Sequence, residues 1–261
     1  MRALRNLLSG AALGVLASIN PAQSAGDVLH PPRQHWHSDG VFGTVDLASA
    51  QRGFLVYKNV CANCHGMKLM SYRNLGGDGG TGLGLTEEQV KAIAATITVP
   101  LGLNDDGEPF EGPATPASRF RSPYPNDKAA RVVNNGSLPP DLSVMVRARE
   151  GGADYIYALL TGYADTPAGM EMGAGMSYNK YFPGHQIAMP NPLVADDMVD
   201  YTDGTKATPE QMARDVTEFL TWAASPEMTE RKQIGVRVIL FLILMTGLTY
   251  AVKRKVWAAL H

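Results

Sequence analysis

Cys61-Ala62-Asn63-Cys64-His65 contains the only two cysteines of a 261-residue chain. Two thiols three residues apart lie about one helical turn apart, so they can add to the two vinyl groups along one edge of a porphyrin. The next residue then sets an imidazole beneath the iron. Three other uses of such a pair fit worse. A thioredoxin-like redox motif needs a βαβ setting and leaves the histidine without a task. A structural zinc site needs further ligands, and no other cysteine exists. A plain disulfide is the usual fate of cysteine in an exported chain, but it does not explain His65. The C-x-x-C-H run therefore reads as covalent attachment of one haem c, with Cys61 and Cys64 as thioether sites and His65 as an axial iron ligand.

The segment before the motif, Asp46 to Val60, carries apolar residues at helical spacing, so the first cysteine closes a helix. Gly53 inside that helix costs stability relative to alanine and signals close approach of a second helix. Thr208 to Ala224 is the expected partner. It opens with a cap residue, a first-turn proline and Gln211 at the third position, and Val216, Phe219, Leu220 and Ala223 repeat at i, i+3, i+4, i+7. Trp222 reads equally as core or boundary. An N-terminal and a C-terminal helix crossing beside a haem is the class I cytochrome c plan. With 27 glycines and 17 prolines the connections should be long ordered loops, so the expected class is mainly α with loop insertions.

The second axial position decides what such an iron does. A methionine there gives an electron carrier of raised potential, and a vacancy gives ligand binding. Met1 belongs to the N-terminal leader and Met245 to an apolar terminal helix. Met67 and Met70 are too close to His65 in sequence to cross to the opposite face. Met145, Met198, Met212 and Met228 sit in helix-like stretches. Met170, Met172 and Met176 fall in a glycine-rich loop. Met189 is best placed, within Phe182 to Leu193, a loop stiffened by Pro183, Pro190 and Pro192. His185 is its main rival and Met176 the next; His30, His35, His37 and His261 read as surface residues.

The ends read as address labels. Residues 1–24 have Arg2 and Arg5, an apolar stretch from Leu7 to Ile19 and a small-x-small site at Ala22-Gln23-Ser24, which together indicate a cleaved secretory signal. Residues 235–252 are apolar except for Arg237. These about 18 residues reach roughly 27 Å as helix, close to the hydrocarbon thickness. Lys253-Arg254-Lys255 follows and should keep the tail, 253–261, cytoplasmic. That leaves residues 25–230 as a periplasmic domain tethered to the inner membrane. The whole-chain formal charge of −2 hides an asymmetry: all 25 Asp and Glu lie between Asp27 and Glu230, with only 15 of the 23 Lys and Arg, a formal −10. Such a domain repels nucleic acid and attracts basic partners.

Other signals are weaker. Gly77-Asp78-Gly79-Gly80-Thr81-Gly82 matches a nucleotide-binding glycine pattern, but no strand is expected before it. Two acidic clusters, Asp105, Asp106, Glu108 and Glu111, and Asp196, Asp197, Asp200 and Asp203, are solvated faces or docking surface. The second follows the Met189 loop closely.

Longer strings complete a family pattern. Gly53 to Cys61 (GFLVYKNVC), Tyr72 to Leu75 (YRNL), Asn134 to Ser143 (NNGSLPPDLS), Arg147-Ala148-Arg149, Leu159 to Tyr163 (LLTGY), Tyr181 to Gly184 (YFPG) and Tyr250 to Trp257 (YAVKRKVW) together resemble the cytochrome c1 family, in its alphaproteobacterial style. The resemblance runs from about Asp39 to Leu260. It implies the haem subunit of ubiquinol–cytochrome c reductase, beside a cytochrome b subunit. One electron would pass from the Rieske iron–sulfur protein through haem c to a soluble c-type cytochrome. The polypeptide would do no bond chemistry itself. It also implies Met189 as distal ligand, Arg149 and Tyr155 beside the propionates, and Asn134 and Pro140 lining the haem pocket. Some bacterial members carry an extra cysteine pair and some a long acidic insertion. This chain has neither, so its distal loop must be fixed by packing alone.

Overall fold

The computed structural model describes residues 29–77 and 81–258. The leader expected at 1–24 and residues 78–80 of the glycine-rich stretch lie outside them. Asp46 starts the first helix, α1 (Leu47–Asn59), by accepting from the Ala48 and Ser49 amides, 3.1 and 3.3 Å away. α1 runs into a single 3-10 turn, Cys61–Asn63, so the attachment motif sits at a helix exit as its periodicity predicts. A second 3-10 turn, Tyr72–Leu75, precedes α2 (Glu87–Ala95), whose capping box pairs Thr86 with Gln89.

Thr98–Leu103 (β1) and Pro109–Pro113 (β2) form an antiparallel hairpin with a register shift between Pro100 and Gly102. Periodicity does not predict it, because three prolines, two glycines and an acidic turn break the two-residue alternation. Its turn carries Asp105, Asp106 and Glu108, with the Asn104 side chain accepting from the Asp106 and Glu108 amides. Short helices α3 (Asp127–Val133), α4 (Met145–Ala148) and α5 (Gly152–Thr161) follow, then a two-residue ladder of β3 (Ser177–Tyr178) and β4 (Gln186–Ile187). Two long helices close the chain, α6 (Pro209–Ala224) and α7 (Met228–Trp257). The class is mainly α, as expected. Met198 is not helical; it lies in a turn among Asp196, Asp197 and Asp200, whose short polar side chains favour turns over helix.

The scaffold is the α1–α6 crossing. Gly53 lies against the Asp215 carbonyl, and a Cβ there would overlap that backbone and the Phe219 side chain. Phe54, Tyr57 and Phe219 pack at 5.6–5.7 Å between centroids, and Trp222 is buried to 1 %, which settles it as core. The buried Asp215 carboxylate next to the crossing is fully partnered. Ser49 donates at 2.6 Å, Arg52 through Nε and a terminal nitrogen at 2.9 Å each, and Gln211 at 3.0 Å. A charge buried this deeply is tolerated because both oxygens find donors, three on one and one on the other.

α7 is different in kind. Its 30 residues include the expected 235–252 span, and none of its residues is buried within the protein. A core helix of this apolarity would be covered; an uncovered one is long enough to cross a bilayer. Its base is tied to the domain, with Lys232 donating to the Ser38 and Gly43 carbonyls at 2.6 and 3.2 Å.

Candidate haem-binding site

The Cys64 and His65 amides both donate to the Cys61 carbonyl, at 3.1 and 2.9 Å, which closes one tight turn over the motif. Although the two cysteines share that turn, neither is in a disulfide; Cys61 is half-buried and Cys64 exposed. Burial pushes the Cys61 thiol up to about 12. His65 follows with Nδ1 donating to the Pro140 carbonyl at 2.7 Å, which fixes the tautomer and leaves the Nε2 lone pair for a metal. Burial holds its pKa below the ordinary value, against the upward pull of the Pro140 carbonyl and Asp141. A neutral imidazole is the ligating form.

Around this turn the chain after His65 is laced to residues 140–143. Leu142 donates to the Gly66 carbonyl at 2.8 Å, Lys68 to Asp141 at 2.8 Å and Leu69 to Ser143 at 3.1 Å. Pro140 therefore does more than line a pocket: its carbonyl orients the histidine. Sequence reasoning missed this because a main-chain acceptor has no side-chain signature. Asn134 caps α3 and donates to Tyr124 Oη at 3.0 Å and to the Ala130 carbonyl at 2.7 Å.

Met189 lies in the proline-stiffened loop, and Tyr163 donates to its carbonyl at 3.0 Å. Burial raises the Tyr163 and Tyr155 hydroxyls, with Tyr155 adding to the rise at Tyr163 and Arg149 opposing it at Tyr155. Among the described residues the Arg149 guanidinium has no carboxylate partner and donates only to the Ala148 carbonyl, at 3.1 Å. That removes the ordinary surface ion pair as its reading. The loop is anchored by Asn179, a fully buried residue that no motif marks. Its amide donates to the Leu159 carbonyl at 2.7 Å and accepts from Tyr181 and Phe182 at 3.0 and 3.2 Å. His185, the rival ligand, directs Nδ1 to the Asn179 carbonyl at 3.3 Å. Met176 is exposed, whereas Met67, Met70, Met145 and Met212 are core.

The donor set fits a covalent haem c. Two unbridged thiols flank one turn, an oriented neutral imidazole follows, and an unpaired guanidinium stands available for a propionate. Leu138 and Val144, on either side of the 140–143 lacing, leave apolar surface exposed beside it. A crevice of about 420 Å³ opens behind the motif, reached by Tyr57, Ala62, Asn63, Tyr72 and Arg121, but it touches none of Cys61, Cys64, His65 and Met189. Of the acidic clusters, Asp203 is held by Arg52 and Asp196 by Lys206, at 2.8 and 2.7 Å.

Comparison with known proteins agrees with this geometry. The model of the Cytochrome C1 family matches residues 36–260. The chain is 43% identical to cytochrome c1 of Rhodospirillum rubrum, over 94% of each chain. It is 45% identical to a mitochondrial heme protein of Arabidopsis thaliana, cytochrome c1 1, over 97% of this chain and 81% of that one. It is also 43% identical to the cytochrome b/c1 protein of Bradyrhizobium diazoefficiens, over 94% of this chain and 38% of that longer one.

Proposed function

Because this chain belongs to the cytochrome c1 family, we propose that it relays single electrons within a cytochrome bc1 complex, from the Rieske iron–sulfur protein to a soluble c-type cytochrome. Its role is electron transfer and its cofactor is haem c. The observation that carries the reading is the 2.7 Å bond from His65 Nδ1 to Pro140, beside two thiols that share a turn without bridging.

When bound, the haem supplies a one-electron Fe(III)/Fe(II) couple. The chain's own residues do the rest. Cys61 and Cys64 would hold the porphyrin edge. His65, oriented by Pro140, and Met189, carried on a rigid loop, would be the iron ligands, and ligands so fixed would limit rearrangement on electron transfer. Arg149, with Tyr155 nearby, would keep propionates ionised, and Asn134 with Pro140 would close the pocket wall. The polypeptide is a redox subunit of an oxidoreductase complex, with no bond chemistry of its own.

α7 anchors the chain to a membrane. Lys253-Arg254-Lys255 at its far end favours a cytoplasmic tail, with the haem domain on the periplasmic side of the inner membrane. A relative that carries cytochrome b and c1 in one chain supports the cytochrome b subunit as the membrane partner. The formal −10 of residues 27–230 steers a basic carrier at low ionic strength and releases it as salt rises.

The test is mild extraction of the tagged full-length chain from its own membranes. Co-purification with b-type haem, reduction of the c-type haem by added quinol and reoxidation by a soluble cytochrome c are expected. A c-type haem that purifies alone and ignores quinol would mean a free-standing tethered shuttle.

A further inference from the structure

We propose that Asp141 is a positioning residue for the proximal histidine: its carboxylate clamps the chain on either side of His65's hydrogen-bond acceptor and lowers the haem potential. The inference rests on His65 being the proximal ligand.

The carboxylate uses both oxygens. Oδ1 accepts from the Ser143 amide at 3.0 Å, a local turn that aspartate makes in many proteins. Oδ2 does something the local turn does not require: it reaches across 73 residues of sequence to accept from the Lys68 amide at 2.8 Å. Lys68 is three residues after His65, and Asp141 is one after Pro140. The same side chain therefore ties the exit of the ligand turn to the loop that holds the ligand's acceptor. The Leu142–Gly66 bond at 2.8 Å and the Leu69–Ser143 bond at 3.1 Å extend the tie in both directions.

Two consequences follow for His65. The Pro140 carbonyl and the Asp141 amide share one planar peptide, and Pro140 fixes the backbone torsion before it. With the Asp141 side chain held at both oxygens, that plane cannot rotate, and the acceptor of Nδ1–H stays at 2.7 Å. The charge also acts directly, because the carboxylate belongs to the residue next to the carbonyl that accepts from His65 Nδ1. An anion that favours positive charge on the imidazole also favours the oxidised, more positive iron beyond it. Both effects act in the same direction, toward a lower potential.

The experiment is a redox titration of the haem in native membranes, read as reduced fraction at fixed ambient potential, for wild type, Asp141→Asn, Asp141→Glu and Ser143→Ala. In Asp141→Asn the charge is gone, and the single amide oxygen can accept from only one of the Lys68 and Ser143 amides. The reduced-to-oxidised ratio should rise several-fold, with carbon monoxide still excluded. Asp141→Glu should stay nearer to wild type. Ser143→Ala, which cuts only the neutral Leu69 tie, should shift the ratio far less than Asp141→Asn does. An unchanged or lowered ratio in Asp141→Asn with both axial ligands in place would overturn the proposal. Should Asp141→Asn fail to accumulate as haem protein, hydrogen exchange in the wild type decides. The Lys68 amide should exchange roughly tenfold or more slowly than an open loop amide, and open-loop exchange would overturn the clamp. Absence of a histidine-ligated haem in the wild-type spectrum would instead defeat the reading of the site itself.

Discussion

The two sides of the haem site are built differently. On the proximal side a ligand contiguous with its own attachment cysteines is laced to residues 140–143 by main-chain and carboxylate bonds of 2.7–3.1 Å. On the side we assign to Met189, that residue rides a loop pinned at its entrance by Asn179 and held at its own carbonyl by Tyr163 at 3.0 Å. The contrast matches ligand strength. An imidazole makes a strong bond and needs its direction set. A thioether makes a weak one and needs its distance set, which the prolines around Met189 do by removing backbone freedom.

If that asymmetry is real, the proximal side should fail completely where the distal side fails by degrees. His65→Ala should abolish covalent haem protein, read as loss of the c-type band on a haem-stained gel. A stable haem-loaded His65→Ala protein would break the comparison. Gly53→Ala strikes the crossing beneath both sides. The added methyl meets Asp215 main chain, which cannot yield as a flexible side chain would, so we expect a loss upwards of about 3 kcal/mol and poor accumulation in the membrane. Unaltered thermal stability would mean that the helices cross with slack.

The third prediction concerns pH. Burial, with help from Asp46 and against His37, raises the Glu218 carboxyl from 4.5 to about 7, and one of its oxygens has no partner. A carboxyl raised in this way is protonated in the folded state. Its stabilising contribution is complete below pH 4.5 and is lost as pH rises through about 7. At roughly 1.4 kcal/mol per unit, wild type should lose at most about 3 kcal/mol between those limits from this group. Glu218→Gln should flatten that part of the profile in thermal melts, and a mutant profile parallel to wild type would refute the assignment. Smallest is Asn179→Ala, which strips three side-chain hydrogen bonds from the distal loop's entrance. It should cost about 2 kcal/mol and let carbon monoxide reach part of the iron, while the covalent attachment survives. Complete haem loss in that variant would place the weak side elsewhere.

Legibility in the sequence follows the same division. Cys61, Cys64 and His65 were readable because the chemistry fixes their spacing. The helices 47–59 and 209–224 were readable from caps and periodicity, and Gly53 from its cost within a helix. The pairing of the Pro140 carbonyl with His65 was not, since it joins a main-chain atom to a residue 75 positions away. Asn179 was equally silent: a buried amide saturated by main-chain partners looks, in sequence, like any loop asparagine. Glu218 sits one residue from Phe219 on a helix whose buried surface extends beyond one stripe, so periodicity would have placed it in solvent. Met189 stood out through its prolines, with Arg149 and Tyr155 carried by family resemblance alone.

The central claim is a six-coordinate iron held by His65 and Met189, and optical spectra of the membrane-extracted protein test it most directly. Oxidised wild type should show the near-infrared band of methionine–iron ligation and, when reduced, should not respond to carbon monoxide. Met189→Leu should lose the band and bind the gas with its haem still covalently attached. Carbon monoxide binding by intact wild type, or a Met189→Leu spectrum identical to wild type, would contradict the account.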